Sequence, residues 1–264
     1  MTVIFKKLLP AFIALPVLFA AGRANEKKPP REFYEIKVYH FASAAQETAI
    51  DNFLQQAYLP ALHASGIQHI GVFKPLSNDT AADKRIYVFV RGKSLQEIVE
   101  RPTALLGNNT FTTAGKAFLN APYNDPPFVR MENILIEAFP LAPQMNLPQL
   151  KTAKEEHVYE LRSYESPTDN LFRNKVQMFN EGGEIPLFKR LGFNAVFYGS
   201  VISGSRMPNL MYMTSFDDMA SREAHWNTFR GDAEWKTLSA KPEYQHNVSK
   251  AEPILMKATP YSDF

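Results

Sequence analysis

The sequence predicts an α+β protein whose folded part consists of two similar halves in tandem. Three observations support this fold class: an internal repeat, the same order of predicted strands and helices in both copies, and a globular composition. With 264 residues, of which 45% are hydrophobic and 21% charged, the chain has the length of two ordinary domains and enough apolar residues to bury a core.

The repeat is carried by four short segments that return in the same order in the second half. The pairs are Tyr34–Tyr39 with Tyr159–Tyr164, Leu59–Leu62 with Ile185–Phe188, Ile86–Val90 with Leu210–Thr214, and Ile134–Pro140 with Ile254–Pro260. One such match arises easily by chance. Four matches in one order indicate a duplicated structural unit.

Within each copy the residue patterns predict strand, helix, strand, strand, helix and strand. The flanking strands are rich in β-branched and aromatic residues. The first helix carries an apolar stripe at helical spacing, made of Ile50, Phe53, Leu54, Ala57, Ala61 and Leu62. Its counterpart carries Phe172, Val176 and Phe179. Gly66 and Gly192 stand where these helical segments end, a position typical of a left-handed cap.

This element order predicts a ferredoxin-like unit, a four-stranded antiparallel sheet with both helices on one face. The free face is then apolar, so the two antiparallel four-stranded sheets are expected to pack together, face to face or curled into a barrel. Alternatively, a second copy of the chain covers the apolar face of each sheet, in a homodimer through the sheet faces. The predicted organisation is a signal peptide (1–24), a first domain (31–140), a Pro-interrupted linker (141–154) and a second domain (155–264).

The first residues have the pattern of a secretory signal peptide. Lys6 and Lys7 precede the apolar run Leu8–Ala21, which ends in small residues. The run is shorter than the ~20 residues that a membrane-spanning helix needs, and an uncleaved anchor is the alternative. We therefore expect an exported protein, periplasmic or extracellular, without membrane attachment after cleavage.

Composition and motifs exclude several classes of protein. Cysteine is absent, which removes disulfides, thiolate metal sites and a catalytic cysteine. The net charge of +2 and the dispersed basic residues give no footprint for nucleic acid. There is no phosphate loop, dinucleotide fingerprint or nucleophile elbow. The six histidines show no ligand spacing, so we expect no metal and no cofactor.

The second half resembles the NIPSNAP family from His157 to about Pro260. The matching residues are Tyr159-Glu160-Leu161-Arg162, Tyr164, Pro186, Gly192-Phe193, Ser221-Arg222-Glu223-Ala224 and Trp235. The resemblance implies the dimeric α/β-barrel superfamily of ferredoxin-like domains. It does not imply one activity, because NIPSNAP relatives have no established reaction and other families of this fold are monooxygenases, isomerases or haem enzymes. The first half is a diverged partner, with Lys37 in place of the arginine.

The candidate site residues lie on a strand and a helix of the second half. Alternation along the strand sends Glu160, Arg162 and Tyr164 to one face. If Asp217 or Asp218 caps the helix, the side chains of Arg222, His225 and Trp226 share one face of it. A guanidinium, an imidazole and an indole on one face would hold an anionic or aromatic ligand. The predicted ligand-binding residues are Arg162, Tyr164, Tyr198, Tyr212, Arg222 and Trp226, and His225 is the candidate for proton transfer.

The structural alternative is that this face serves the core. Trp226 and Trp235 would then be buried, and Arg222 would pair with a strand carboxylate such as Glu160. Two function classes remain. The protein is either a binding or scaffolding module for a small ligand, or a cofactor-independent enzyme, monooxygenase-like or isomerase-like, that acts on a small aromatic or carbonyl compound.

Overall fold

Each half of the chain contributes four strands in the same arrangement. The computed structural model describes residues 29–264, and the predicted signal peptide lies outside them. The strands of the first half are β1 (Phe33–Phe41), β2 (Gly71–Pro75), β3 (Lys84–Gly92) and β4 (Arg130–Ala138). Those of the second half are β5 (Val158–Glu165), β6 (Asn194–Ser203), β7 (Asn209–Phe216) and β8 (Lys250–Ala258).

Helices follow the first and third strands of each half, as predicted. The first half contains α1 (Ala44–Phe53), a π-helical turn (Leu54–Tyr58), α2 (Leu59–Ala64), α3 (Leu95–Leu106), α4 (Asn109–Ala114) and α5 (Lys116–Leu119). The second contains α6 (Asp169–Phe179), α7 (Glu184–Arg190), α8 (Met219–Gly231), α9 (Ala233–Ser239) and two short 3₁₀ turns, Lys154–Glu156 and Pro242–Tyr244. Each of α1, α3, α6 and α8 begins at a side-chain cap, which satisfies an otherwise free backbone N–H; the capping residues are Ser43, Ser94, Thr168 and Asp218.

The eight strands form one closed antiparallel barrel in the order β1-β3-β2-β8-β5-β7-β6-β4. Of the two expected arrangements, face-to-face packing and a barrel, the structure has the barrel, because the strands of the two halves join edge to edge. Phe73 of β2 pairs with Ala258 of β8, and Ala138 of β4 pairs with Gly199 of β6. Closure gives every edge strand a partner and leaves no free sheet edge.

The internal repeat is confirmed by strand position. Within its half, β1 lies between β3 and β4, and β5 lies between β7 and β8. Tyr34–Tyr39 and Tyr159–Tyr164 thus occupy equivalent strands. The capping glycines also behave as predicted, since Gly66 and Gly192 have φ angles of 81° and 76°.

The barrel interior is a packed apolar core that covers the inner sheet face from within one chain. Its large members include Tyr34, Ile36, Phe89, Leu161, Phe197 and Met213. The last residue, Phe264, is also buried there, with its ring centroid 5.5 Å from that of Phe73. The outer sheet face packs under helices in two further clusters, one for each half.

The predicted linker contains no α-helix or strand, but it is not a free tether. The backbone N–H of Met145 donates to Glu32 at 2.8 Å, and the hydroxyl of Thr152 donates to the backbone oxygen of Asp217 at 2.7 Å. Both contacts fix the linker against the barrel. Between residues 29 and 264 no helix combines the length and the apolar character needed to cross a lipid bilayer.

Candidate functional site

The candidate site is a cavity of about 450 Å³ in the first half, between the outer face of β1 and the helices. Its walls are mostly aromatic and aliphatic, and they include Phe53, Tyr58, Leu105, Phe111, Phe118 and Phe128. The volume lies in the range of small-molecule sites, which are typically apolar with a few placed polar groups. This cavity has both features.

A buried cluster of charges forms the polar end of the cavity. Glu35 and Lys37 alternate outward on β1, and the Lys37 ammonium donates to the Glu35 carboxylate at 2.6 Å. Arg101 of α3 donates to the other carboxylate oxygen at 2.9 Å. All three residues are at least nine-tenths buried. Charges that are removed from water in this way require mutual pairing, so two cations and one carboxylate stand at the base of an apolar space.

Two further polar atoms of cavity-lining residues have no hydrogen-bond partner among residues 29–264. They are the hydroxyl of Tyr58 and the Nε of Arg101, and both atoms are buried. Buried polar groups are nearly always satisfied, and an unpartnered one costs free energy. Burial, reinforced by the charge of Glu35, raises the pKa of Tyr58 and of Tyr39 well above the ordinary value. Both phenols therefore keep their protons at neutral pH.

The sequence places Tyr58 at the cavity through a local widening of the helix. The N–H of Leu59 bonds to the carbonyl of Leu54, five residues back, which makes Leu54–Tyr58 a π turn. Pro60 follows at once, and a proline inside a helix has no N–H and crowds the preceding turn. Such widened turns relieve this crowding and are frequent at functional sites.

The cavity opens to solvent through an apolar rim. Leu106, Tyr123 and Met131 line it and are 61%, 98% and 43% exposed. Apolar side chains as exposed as these usually lie scattered singly over a protein surface, whereas these three border the same opening. The rim gives an apolar compound a path from solvent to the polar end.

In the second half, the structure brings most of the predicted site residues together around Glu160. This carboxylate is fully buried and accepts hydrogen bonds from Arg222 at 2.7 Å and from the Trp226 indole at 2.8 Å. Arg162 also donates to it, and the Arg162 guanidinium lies 4.5 Å from the Trp226 ring centroid. These contacts match the structural alternative, in which Arg222 pairs with Glu160.

The predicted tyrosines of the second half fill the same face. The hydroxyls of Tyr164 and Tyr212 are 3.0 Å apart, and the rings of Tyr198 and Tyr212 stack at 5.6 Å. Burial raises the pKa of Tyr198 and of Tyr212, so neither phenol ionises near neutral pH. The predicted ligand-binding residues therefore contact one another as a packed cluster, and ligand binding by them stays a prediction.

His225 lies apart from this cluster. Its Nδ1 is 2.7 Å from the carbonyl of Ser221, and its ring packs on Phe193 and Phe216. Trp235 is half-buried against Phe229, with ring centroids 4.4 Å apart. The role of His225 as a base stays a prediction, since its near contacts are one backbone carbonyl, one hydroxyl and two phenyl rings.

The cavity residues on β1 that sequence reasoning missed are the first-half counterparts of residues on β5 that it singled out. Through the repeat, Glu35, Lys37 and Tyr39 correspond to Glu160, Arg162 and Tyr164, so the first strand already carried the signal. Arg101 stands alone as a basic residue in α3. Among residues 29–264, no three histidine or carboxylate side chains cluster as metal ligands would.

Solved structures of the same fold cover nearly the whole chain. One, from Fusobacterium nucleatum, is provisionally named a monooxygenase; it is 6% identical, with a TM-score of 0.55, and covers 87% of this chain and 93% of its own. Another so named, from Lactobacillus acidophilus, is 10% identical, with a TM-score of 0.54 and coverages of 86% and 94%. An anthrone oxidase-like protein is 9% identical, with a TM-score of 0.52 and coverages of 89% and 92%. At these identities the likeness establishes the α+β barrel fold alone.

The family match covers the second half of the chain. No curated protein matches the chain. The NIPSNAP family matches residues 159–263, which agrees with the motif residues from Tyr159 to Trp235. This segment contains the filled face around Glu160, whereas the open cavity lies in the other half. The second half of the chain, residues 159–263, therefore belongs to the NIPSNAP family.

Proposed function

We propose that the protein binds a small aromatic compound in the first-half cavity. The observation that carries this proposal is the pair of unpartnered buried atoms, the Tyr58 hydroxyl and the Arg101 Nε, at the end of an otherwise aromatic cavity. A ligand oxygen or nitrogen would satisfy them, and the phenyl walls would bury its rings. Binding in this way needs neither a metal nor a cofactor.

Tyr58→Phe tests this role, because it removes only the hydroxyl. The variant should unfold at higher urea than the parent, since an unsatisfied buried group is lost. Its affinity for phenolic compounds, measured by calorimetry over a panel of small aromatics, should fall about tenfold. Tyr261→Phe is the control, because the Tyr261 hydroxyl bonds to Asp51 at 2.6 Å and does not line the cavity. It should lose stability and keep affinity; a panel in which nothing binds the parent contradicts the proposal.

A cofactor-independent enzyme acting on the same compound is the second candidate. Glu35 supports it, because a carboxylate in an apolar cavity can accept a proton from a ligand hydroxyl while Lys37 and Arg101 stabilise the resulting anion. The names of the structural neighbours, monooxygenase and anthrone oxidase-like, point the same way by analogy. Oxygen consumption with hydroxyaromatic compounds, compared between parent and Arg101→Met, tests it. No consumption by the parent across the panel would exclude oxidation of these compounds.

We also propose that each half is a ferredoxin-like unit and that the barrel arose by their duplication. The support is the common strand order, β4-β1-β3-β2 and β8-β5-β7-β6. Separate expression of 29–140 and 155–264 tests the idea, since two such units should reassociate into the barrel when mixed. Homodimer formation stays a prediction, which light scattering on the purified protein checks.

Export is proposed from the signal-peptide pattern of Lys6, Lys7 and the apolar run that follows. The protein purified from its source should begin near Arg23 or Asn25. Mass spectrometry of the intact chain gives the answer, and a chain that begins at Met1 and needs detergent for extraction contradicts export.

A further inference from the structure

We infer that the first-half cavity takes a planar, fused-ring aromatic compound with an N–H or O–H donor on its edge, held on Glu35 as the Trp226 indole is held on Glu160. This inference rests on the proposed function and names the class of ligand. Similar polar groups surround the Trp226 ring in the second half and the cavity in the first half.

The two carboxylates occupy equivalent positions. Glu35 is the second residue of the repeated Tyr-Glu segment of β1, and Glu160 is the second residue of the same segment of β5. Each is followed two residues later by a cation that bonds to it, Lys37 or Arg162. In each half an arginine also reaches the carboxylate from the helix after the third strand. The polar frame is therefore similar in the two halves, although Arg101 is the seventh residue after the cap of α3 and Arg222 is the fourth after the cap of α8.

In the second half this frame holds an indole. The Trp226 N–H donates to Glu160 Oε2 at 2.8 Å, and the Arg162 guanidinium lies over the ring. Phe188 and Phe193 meet the ring at steep angles, 84° and 73°. A charge-assisted hydrogen bond, a cation over the ring face and edge contacts from phenyl rings are the main means by which proteins hold aromatic groups.

In the first half the corresponding helix position carries no aromatic side chain. Trp226 is the eighth residue after the cap of α8, and Pro102 is the eighth after the cap of α3. Pro102 lines the cavity without filling it. A proline ring is smaller than an indole and has no N–H donor. The chain therefore provides the frame in both halves but the ring in only one.

Hydrogen bonding at the two carboxylates shows what the ligand must supply. Glu160 Oε2 accepts from both Arg222 and Trp226. Within residues 29–264, Glu35 Oε2 accepts only from Arg101. Glu35 Oε2 thus accepts one hydrogen bond fewer than Glu160 Oε2, so a ligand held there needs a donor. The free Tyr58 hydroxyl and Arg101 Nε can contact an acceptor on the same ligand.

The cavity walls favour a flat, extended ring system. Phe53 and Phe118 stack on each other with centroids 4.1 Å apart and an angle of 6° between the rings. Together with Phe111 and Phe128 they give an aromatic lining beyond the polar end. A single-ring compound that reaches Glu35 would leave part of this surface uncovered. A bicyclic or tricyclic compound covers more of it and gains more from apolar burial.

Indole and 1-methylindole form the matched pair of probes, since N-methylation removes the N–H donor and adds only one methyl group. Calorimetry on the parent protein should give an affinity for indole about tenfold or more above that for 1-methylindole, the usual effect of losing one hydrogen bond to a charged group. Phenol, which has the donor but one ring, should also bind more weakly than 2-naphthol. Equal affinities within either pair would overturn the inference and leave the proposed function intact.

The location is tested with P102W, which puts an indole on α3 at the place that Trp226 has on α8. This variant should lose indole binding, because its own ring fills the space. A crystal of the parent soaked with 5-bromoindole gives the location independently of how the variant folds, and the bromine should lie in the first-half cavity. Bromine only at another place overturns the inference, and binding by no aromatic at all removes the proposed function with it.

Discussion

Glu35 and Glu160 lie at equivalent positions of β1 and β5, and each is buried against a guanidinium from the helix that follows the third strand of its half. Taking a carboxylate out of water is costly unless it is paired, so each glutamate fixes where the neighbouring helix docks. This pairing of a buried glutamate with a helix arginine has different surroundings in the two halves. Around Glu160 the space is occupied by Trp226, and around Glu35 it is open.

Arg101 should carry more stability than its position on α3 suggests. Arg101→Met leaves Glu35 with Lys37 as its remaining partner, and removing one member of a buried pair costs about 3 kcal/mol. Glu97→Gln is the control, because Glu97 contacts the same guanidinium at 3.5 Å with a side chain that is 36% exposed. Its cost should stay below about 0.5 kcal/mol. Urea denaturation measures both, and equal costs would contradict the assignment.

Glu160 should make stability depend on pH in the acid range. Burial by itself would raise its pKa, but the hydrogen bonds from Arg222 and Trp226 and the charge of Arg162 outweigh burial and lower the pKa below 4.5. A carboxyl with a lowered folded pKa stabilises the protein above its unfolded pKa. This contribution is lost as the pH falls through the folded value.

The measurement for Glu160 is urea unfolding of the parent and of Glu160→Gln between pH 7 and pH 3. The variant is less stable than the parent at neutral pH, because two guanidinium groups lose their partner charge. The difference between the two proteins should shrink as the pH falls below about 4.5, because a glutamate in the unfolded parent then takes up a proton that the folded Glu160, with its lowered pKa, takes up only at lower pH. A difference that stays constant down to pH 3 would show that Glu160 does not titrate in this way.

The two tryptophans should differ sharply in what they contribute. Trp226 is 6% exposed and Trp235 is half-buried. Trp226→Ala should cost about 3–5 kcal/mol, the usual range for deleting a large buried aromatic. Trp235→Ala should cost less, about 1–2 kcal/mol, because part of its surface already contacts water. Denaturation of the two variants under one set of conditions decides between this order and the reverse.

Much of the fold was predictable from the sequence because periodic patterns and the repeat act locally. The strands, the cap at Asp218 and the left-handed glycines follow from residue spacing. Residue spacing left face-to-face packing and a barrel as alternatives, since closure depends on which strand edges meet. Pairing of Phe73 with Ala258 joins residues that are far apart in the chain, and no local pattern encodes it.

The predicted site residues and the cavity lie in different halves for a physical reason. Aromatic and charged residues in one motif, such as Arg222 and Trp226, are equally suited to bind a ligand or to pack on one another. When such side chains fill the space between strand and helix themselves, no room is left there for a ligand. In the first half Pro102 stands at the helix position of Trp226 and lines the cavity, and residue spacing alone does not reveal such a cavity.

The seam between the halves, where β6 pairs with β4, should tolerate no side chain at Gly199. A Cβ there would lie 2.7 Å from the carbonyl oxygen of Glu137 on the neighbouring strand. Gly199→Ala should therefore cost about 2 kcal/mol through overpacking. Gly231→Ala is the control, since nothing lies within 4 Å of a Cβ at that end of α8, and it should be neutral or stabilising by about 0.5 kcal/mol. Similar melting temperatures for both variants would mean that the seam is not closed in this way.

His225 is the last test, because structure and catalysis make opposite demands on it. Sequence alone predicts that His225→Ala costs about 0.5 kcal/mol, as at an exposed cleft. The contacts with Phe193, Phe216 and the Ser221 carbonyl raise this expectation to about 1 kcal/mol, through lost aromatic packing and one hydrogen bond.

Urea denaturation of His225→Ala with an unchanged slope measures this cost, and Thr228→Ala on the exposed side of α8 is the control that should change little. Because His225 belongs to the second half and does not line the first-half cavity, its loss should leave the affinity for small aromatics unchanged. A variant that folds normally but loses affinity or turnover would bring His225 back as the proton-transfer residue. It would also show that the second half has a site which opens when a ligand binds.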